Sequence, residues 1–554
     1  MFNIGIHGSH NAAVAISFEN KVLEVVEIER LLGKKNAALF FWSNVKRSSE
    51  IFRSINNYFS EKYNVHDYDN LIFNSIDESK INLHDIFKFK NKRYCSHHEA
   101  HALNALYQSP FDNALIISFD GGSDEGFFNI YLVDDRYGKL KKIYSGQSDY
   151  ATSYMACAHF IPAIKREEIY SGNLVYAGKL MGYAGYGKPR EEYIEKLNRF
   201  YDEQTDDCVQ KAVIRFGNIF EVGYRMGYRK HLHRQKKNSC FEFYGPGFLD
   251  EQDAKDIAAS NQFVFEQRFY EEIKPFLDTY HDYPVILTGG CALNILNNTS
   301  IARKREEIFI PPNPNDSGIA LGCLFSEISP FDPVDATYLG PDVWDKMELS
   351  KYLIQYPDSY HCSIDIVGQK LLNGQIIGVV RGRSELGPRA LGNRSLLTCA
   401  HFPTSKEYVN SKVKHREAFR PLSPIVRLED VNKYFEWETE SRHMTFSPKV
   451  REEWRETLYA VTHVDGTARV QTVTRDQNEF IYDLLTYIDN AYGVAVLLNT
   501  SFNVAGKPIL NTYREAFEVL ETKPINGILI EDHFFPSPII DSNTSAYYHY
   551  PYKN

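Results

Sequence analysis

No two cysteines in this 554-residue chain form a C-x-x-C pair. The eight present (Cys95, Cys157, Cys208, Cys240, Cys291, Cys323, Cys362, Cys399) are scattered. This excludes a zinc ribbon and a disulfide scaffold and points to a reducing compartment. No apolar run approaches the roughly 18–20 residues needed to span a bilayer. The start, Met1-Phe2-Asn3-Ile4-Gly5-Ile6, runs straight into a strand pattern without a charged region or an apolar signal core. The expectation is a cytoplasmic protein with no membrane partner. Basic residues are not in excess: 62 Lys and Arg against 72 Asp and Glu leave a net charge of -10, which argues against coating a nucleic-acid duplex. A fixed-period repeat and a low-complexity tract are also missing.

What is present is typical of a folded globular protein, with 43% hydrophobic and 24% charged residues. The length allows two to four domains. Two stretches of different texture meet near 329–362, and the turn formers of Ser329-Pro330-Phe331-Asp332-Pro333, continuing to Gly340-Pro341, read as a linker. Ahead of it, short apolar strands precede glycine turns at Ile4–Ile6, Val14–Ser17, Leu115–Phe119, Ile130–Val133 and Val285–Leu287. Behind it lie strands at Ile376–Val380 and Val494–Leu498 and an amphipathic stretch at Asn478–Ala491. The class is α/β in two main units.

His97-His98-Glu99-Ala100-His101 opens an apolar-periodic run. On a helix, His97 and His101 share one face about a turn apart, as two ligands of one ion require. Asp120 leaves the strand Leu115–Phe119 into Gly121-Gly122 and suits a third ligand; Asp316, in Pro314-Asn315-Asp316-Ser317-Gly318, suits a fourth. Two imidazoles with carboxylates fit iron, zinc or manganese; a surface histidine cluster is the plain alternative. The H-E-x-x-H metalloprotease pattern is excluded because residue 102 is alanine.

Three strand–turn features have phosphate-loop character: Gly5–Asn11, Asp120–Asp124 and Thr288–Asn294. Glycines let backbone N–H groups approach phosphate oxygens, although each turn alone is also ordinary turn chemistry. Gly182–Lys188 nearly matches a P-loop, but Pro189 occupies the place of the magnesium-binding hydroxyl. In the second unit, Arg381–Ser395 packs four arginines into a glycine turn, followed by Lys414–Pro421, Arg469 and Asn499–Asn503. Guanidinium forks suit phosphate and carboxylate oxygens. Arg394 and Arg416 read more naturally as solvated surface than Arg389 does.

Together these segments resemble the O-carbamoyltransferase family, which includes the nodulation-factor and aminoglycoside-antibiotic carbamoyltransferases. The carrying stretches are Gly5–Val14, Glu29-Arg30, His97–His101, Asp120-Gly121, Lys179–Ala184, Gly289–Asn294, Gly387–Ser395, Lys414–Pro421 and Asn499–Asn503. The resemblance implies an actin-like (duplicated RNase H-like) domain over 1–345 and a YrdC-like α/β domain over 363–554. It implies that the second domain makes carbamoyl adenylate from carbamoyl phosphate and ATP, and that the first passes the carbamoyl group to an acceptor hydroxyl. By motif, His97, His101, Asp120 and Asp316 would bind a divalent metal of the iron type, with magnesium accompanying ATP. Arg389, Lys414, Arg420, Arg469, Thr500, Ser501 and Asn503 would bind carbamoyl phosphate and ATP. Gly289, Gly290 and Asn294 would hold the adenylate, and His10 falls on the family's N-terminal histidine. His10 would take the hydroxyl proton or simply bond substrate in its turn. Departures are Lys507 for an acid, Leu386 for an aromatic, Leu422-Ser423 for Phe-Ala, and Arg442-His443-Met444.

Residues 224–237 hold Arg225, Arg229, Lys230 and further basic residues interleaved with Tyr224, Tyr228 and His231, without an acid. This run is either a solvated stretch or a holder for an anionic aromatic acceptor such as a hydroxymethyl-pyrimidine nucleotide. A sugar or antibiotic hydroxyl would not need the charge. The rivals are a tRNA threonylcarbamoyl-type enzyme and a non-catalytic actin-like nucleotide binder. The assembly, a homodimer included, is left open.

Overall fold

The computed structural model describes residues 1–39, 45–123, 125–158, 161, 163–164, 173–202 and 251–540. The chain divides into two units, Met1–Ile28 with Asn36–Asp335, and Glu29–Lys35 with Ala336–Asn554. Residues 336–345 and 29–35, which the sequence limits assign to the first domain, therefore belong to the second unit. A helix, Leu349–Gln355, follows the expected linker.

In the first unit, β1 (Phe2–His7) pairs antiparallel with β2 (Ala13–Phe18), and β2 antiparallel with β3 (Lys21–Glu27). On its other edge β1 runs parallel to β4 (Tyr68–Asn74), which runs parallel to β5 (Phe89–Tyr94). A second sheet repeats this pattern with β6 (Ala114–Ser123), β7 (Gly126–Val133), β8 (Lys141–Gly146), β9 (Val285–Thr288) and β10 (Ile308–Phe309). The orders are β3-β2-β1-β4-β5 and β8-β7-β6-β9-β10. This duplicated order defines the actin-like, RNase H-like pair. Strands covered on both faces read as continuous apolar runs instead of alternating ones; Ala114–Phe119 is buried at every position.

Helix α1 (His97–Gln108) follows β5, and α2 (Glu251–Thr279) precedes β9. Helix α3 (Ile319–Phe325) is buried at all its residues. It approaches β1 so closely that a Cβ on Gly5 would sit 2.2 Å from the Ala320 carbonyl, and a Cβ on Gly322 would sit 1.9 Å from the Ala100 carbonyl of α1. Backbone cannot yield as a flexible side-chain tip can. Gly322→Ala is therefore expected to destabilise the first unit by about 1–3 kcal/mol or more, read as a lower urea midpoint with unchanged slope. A midpoint equal to that of the parent would refute this close packing.

The second unit is built on one mixed sheet. Its strands are β11 (Tyr360–His361), β12 (Ile377–Val380), β13 (Arg394–Cys399), β14 (Ser423–Arg427), β15 (Gln471–Val473), β16 (Leu497–Ser501), β17 (Gly527–Ile530) and β18 (His533–Pro536), in the order β11-β18-β17-β12-β13-β16-β14-β15. Strand β16 begins three residues later than the apolar run at Val494 suggests. Helices α4 (Ile364–Leu372) and α5 (Glu479–Tyr492) cover its core. Asn478 caps α5 by accepting from the Ile481 N–H, Gly493 ends it at φ 82°, and Ile481, Leu484, Leu485 and Ile488 form its buried stripe.

His401 follows β13 and stacks on Tyr492 at 4.1 Å. Burial pushes its pKa down to about 4, against about 6.5 in an unfolded chain. Between those values the unfolded state holds more protons, so stability is full above about pH 6.5 and is lost as pH falls towards 4. The loss is at most about 3 kcal/mol at 1.36 kcal/mol per unit. Urea unfolding of His401→Phe should show a shallower decline than the parent across this range; parallel curves would refute it.

Among the described residues, no helix is long and apolar enough to cross a membrane. Cys95, Cys157, Cys291, Cys323, Cys362 and Cys399 are free and buried.

Candidate functional site

Parallel strands bring their carboxyl ends together, and the first unit places its chemistry there. β1 ends at His7 and β4 at Asn74, β5 leads into α1, Asp120 lies near the end of β6, and Asp316 follows β10. His97, His101, Asp120 and Asp316 converge, each offering a ligand atom within 4.8 Å of the others. His101 Nε2 lies 3.0 Å from Asp120 Oδ2 and 3.6 Å from Asp316 Oδ1; His97 Nε2 lies 3.7 and 3.8 Å from the same oxygens. Asp120 also accepts from the Gly290 N–H at 3.0 Å and the Gly121 N–H at 2.6 Å.

The electrostatics fit a cation. Burial and the Asp316 charge press the Asp120 carboxyl upwards, but bonds from His101 and His97 outweigh them and hold it well below the usual carboxylate range. Burial opposes ionisation of Asp316 as well, and the neighbouring His10 and His97 overcome it. His101, which burial alone would push down, is raised to about 9 by Asp120 and Asp316. A buried carboxylate, Asp316, and a half-buried one, Asp120, thus face two imidazoles, and the buried His101 Nδ1 lacks a hydrogen-bond partner. The donor set of two nitrogens and two oxygens suits a borderline divalent ion such as iron, zinc or manganese.

His10 sits beside this cluster, its Nε2 3.3 Å from Asp316 Oδ2 and its Nδ1 3.2 Å from Asn11 Oδ1. Gly289 adopts φ 92°, and a Cβ there would lie 2.2 Å from the Phe119 carbonyl. Its N–H donates to the Pro314 carbonyl, while that of Gly290 donates to Asp120, so both amides have partners inside the protein. Asn294 caps the helix Ile295–Ala302 and forms a reciprocal amide pair with Gln262. Arg225, Arg229 and Lys230 lie outside the described residues.

The second unit gathers Arg389, Lys414, Arg416, Arg420 and Arg469, joined by Lys35 from the 29–35 segment. Lys414 Nζ donates to the Ser501 carbonyl at 2.5 Å, the Asn503 carbonyl at 3.0 Å and Asn503 Oδ1, closing the turn after β16. Thr500 is on β16, and the Ser501 hydroxyl donates to Asn503 Oδ1 at 2.9 Å. Arg469 Nε donates to Ser423 Oγ at 2.8 Å. Burial and the Arg420 charge press the pKa of Arg389 down to about 10. Burial and the surrounding cations act in the same direction on Lys414, Arg469 and Lys35. Guanidinium groups stay charged at physiological pH, so this pressure marks a local excess of positive charge, which Glu417, 3.9 Å from Arg420, offsets in part.

Two surface assignments are corrected. Arg394 is fully buried and donates to the carbonyls of Arg381, Gly382 and Asn393, so it holds the turn. Arg416 is half-buried within the basic cluster, bonded to Asn410. His7 and Lys35 were not singled out from the sequence. The Glu29-Arg30 stretch pointed at Lys35's neighbourhood; Arg30 donates to the Gly387 carbonyl at 2.8 Å.

Strand order defines an actin-like unit, followed by an α/β unit that carries the basic cluster. The family model described as Carbamoyltransferase N-terminus matches residues 12–324, and that described as Carbamoyltransferase C-terminus matches 368–536. The chain belongs to the carbamoyltransferase family. It is 31% identical to the nodulation protein NolNO of Sinorhizobium fredii over 79% of this chain and 63% of that protein. To the nodulation protein NolO of Bradyrhizobium diazoefficiens it is 30% identical over 78% and 77%. The chain thus spans less than two thirds of NolNO. Among solved structures, HypF of T. kodakarensis aligns at a TM-score of 0.34 with 14% identity, over 58% of this chain and 47% of that one.

Proposed function

We propose that the enzyme is an ATP-dependent O-carbamoyltransferase acting through two centres. The second unit forms carbamoyl adenylate from carbamoyl phosphate, ATP and one water: water releases phosphate from carbamoyl phosphate, and the resulting carbamate attacks the α-phosphate of ATP and expels pyrophosphate. The first unit then transfers the carbamoyl group to an acceptor hydroxyl and releases AMP. The observation supporting this most directly is the presence, in one carbamoyltransferase chain, of a cluster rich in basic residues in the second unit and a His–Asp cluster in the first.

In the second unit, Arg389, Arg420 and Arg469 bind the anionic oxygens of both substrates, with Lys414 holding the Ser501–Asn503 turn against them. In the first, His97, His101, Asp120 and Asp316 would hold a divalent metal, which supplies Lewis-acid polarisation of the adenylate's carbonyl or phosphate. Carbamoyl adenylate is a mixed anhydride, so attack by an alcohol at its carbonyl expels a stable phosphate. His10, 19% exposed at its side chain, takes the hydroxyl proton as the new C–O bond forms.

The acceptor that best explains the basic, aromatic run at 224–237 is a hydroxymethyl-pyrimidine nucleotide. The test is mass spectrometry after incubation with ATP, carbamoyl phosphate and ferrous iron, comparing hydroxymethyl-dCMP, its nucleoside and an aminosugar. A carbamoylated nucleotide is the expected product. Preference for the uncharged acceptors would overturn the nucleotide assignment, and dependence on threonine and tRNA would overturn the reaction. ATP binding without pyrophosphate release on adding carbamoyl phosphate would point to a non-catalytic binder.

A further inference from the structure

The two oxygens of Asp316 face different neighbours. Oδ1 looks towards His97 and His101, at 3.8 and 3.6 Å. Oδ2 looks the other way, 3.4 Å from His7 Nε2 and 3.3 Å from His10 Nε2. A carboxylate presents Oδ1 at a fixed angle only while something holds Oδ2. Two imidazoles are available for that task, and their surroundings differ.

His7 is fully buried. It ends β1 beside Asn74, the last residue of the parallel strand β4. The Asn74 amide is itself oriented, because its Nδ2 donates to the Cys95 carbonyl at 2.9 Å and the Ser75 hydroxyl donates to its Oδ1 at 2.7 Å. That leaves Oδ1 facing His7 Nδ1 at 3.1 Å; donating both there and from Nε2 to Asp316 requires the doubly protonated ring, which burial opposes and the Asp316 carboxylate favours. The opposite edge of the ring, Nε2, lies 3.2 Å from the His10 carbonyl. Contacts at both nitrogens prevent the ring from turning. His10 is on a loop, partly exposed, and its backbone at Asn11 takes the left-handed conformation, φ 54°.

We propose that His7 is the positioning residue of the first-unit centre: it holds Asp316 Oδ2 so that Oδ1 stays aimed at the His97–His101 pair, including when His10 turns towards an acceptor. The assignment rests on the metal reading above. Partners of this kind fix ligand orientation, and their loss typically weakens metal binding about 10–100-fold. His7 would thus act on the ion only through Asp316, whereas His10 would act on the substrate.

Two polar substitutions separate this role from simple packing. The amide of Gln can overlay the Nε2 position of histidine, whereas that of Asn overlays only Nδ1. His7→Asn would keep the Asn74 side but lose Asp316, and His7→Gln would keep the reach to Asp316. The measurement is titration of the full-length protein with Co²⁺, followed by the visible spectrum of the bound ion, with thermal melts of the metal-free proteins alongside. His7→Asn should bind Co²⁺ about 10–100-fold more weakly than the parent with an altered ligand-field spectrum, and His7→Gln should recover most of the affinity. Equal Co²⁺ affinity in parent and His7→Asn, with only the melting temperature changed, would overturn the proposal and leave the metal reading intact. If the parent itself bound no Co²⁺, the metal reading would fall, and this role with it.

Discussion

Asp120→Asn is expected to abolish carbamoyl transfer while pyrophosphate release from ATP and carbamoyl phosphate continues at the parental rate. The substitution keeps shape and polarity and removes one of the two carboxylate charges facing His97 and His101. The bond to His101 that helps raise its pKa to about 9 loses its anionic partner, and the cluster no longer compensates a divalent ion. Because a partner one step removed from the metal already costs about 10–100-fold, loss of a ligand should exceed about 100-fold in transfer. Two assays on one preparation decide the matter, pyrophosphate release and carbamoylated product. Parallel loss of both would mean that the two centres are not separate, and retention of both would remove Asp120 from the chemistry.

Arg469→Leu should give the opposite pattern, with no adenylate formed and a fold no less stable than the parent's. Arg469 is surrounded by like charge from Arg389, Arg416 and Arg420, and burial adds to the cost. Removing it relieves repulsion in the empty protein but takes a charge-matched donor away from the anionic substrates. Loss of one such donor typically costs about 10²–10³-fold in rate. Pyrophosphate release should fall by that factor while the melting temperature stays level or rises, a trade between stability and activity common at binding sites. A lower melting temperature with unaltered pyrophosphate release would show Arg469 to be a structural residue. Arg469→Lys should recover little of the rate, since an ammonium cannot reproduce the planar fork.

Much of the first-unit centre was legible because its geometry is local. His97 and His101 announce themselves by i, i+4 spacing on an apolar-periodic run, and Asp120 by its place between a strand and a glycine turn. His7 does not, since it reads as one more residue of β1 until Asn74 and Asp316 come in from distant strands. Arg394 misleads in the opposite sense. A charge in a glycine-rich turn suggests solvent, but the turn's own carbonyls at Arg381, Gly382 and Asn393 need a donor, and Arg394 is it. The doubled sheet was legible only through the family resemblance and not as a repeat in the residues: strand order repeats while side chains do not. The insertions differ as well, residues 28–67 between β3 and β4 but 147–284 between β8 and β9. No fixed period survives such a difference. Lys35 was missed because its cationic neighbours lie far along the chain.

The 29–35 segment has a consequence for how the protein is made. Arg30 must find the Gly387 carbonyl, 357 residues later. At a synthesis rate of about 5–20 residues per second, the arginine waits roughly 20–70 s for its partner to leave the ribosome. Closing so long a loop costs little extra free energy, because the penalty grows only with the logarithm of length. The expense is in time. The second unit cannot be completed from residues 336 onward alone, since the stretch that delivers Lys35 lies 301 residues ahead of Ala336 in the chain. A chain started at 336 would lack that lysine, so its basic cluster is finished only in a chain that also carries residues 29–35.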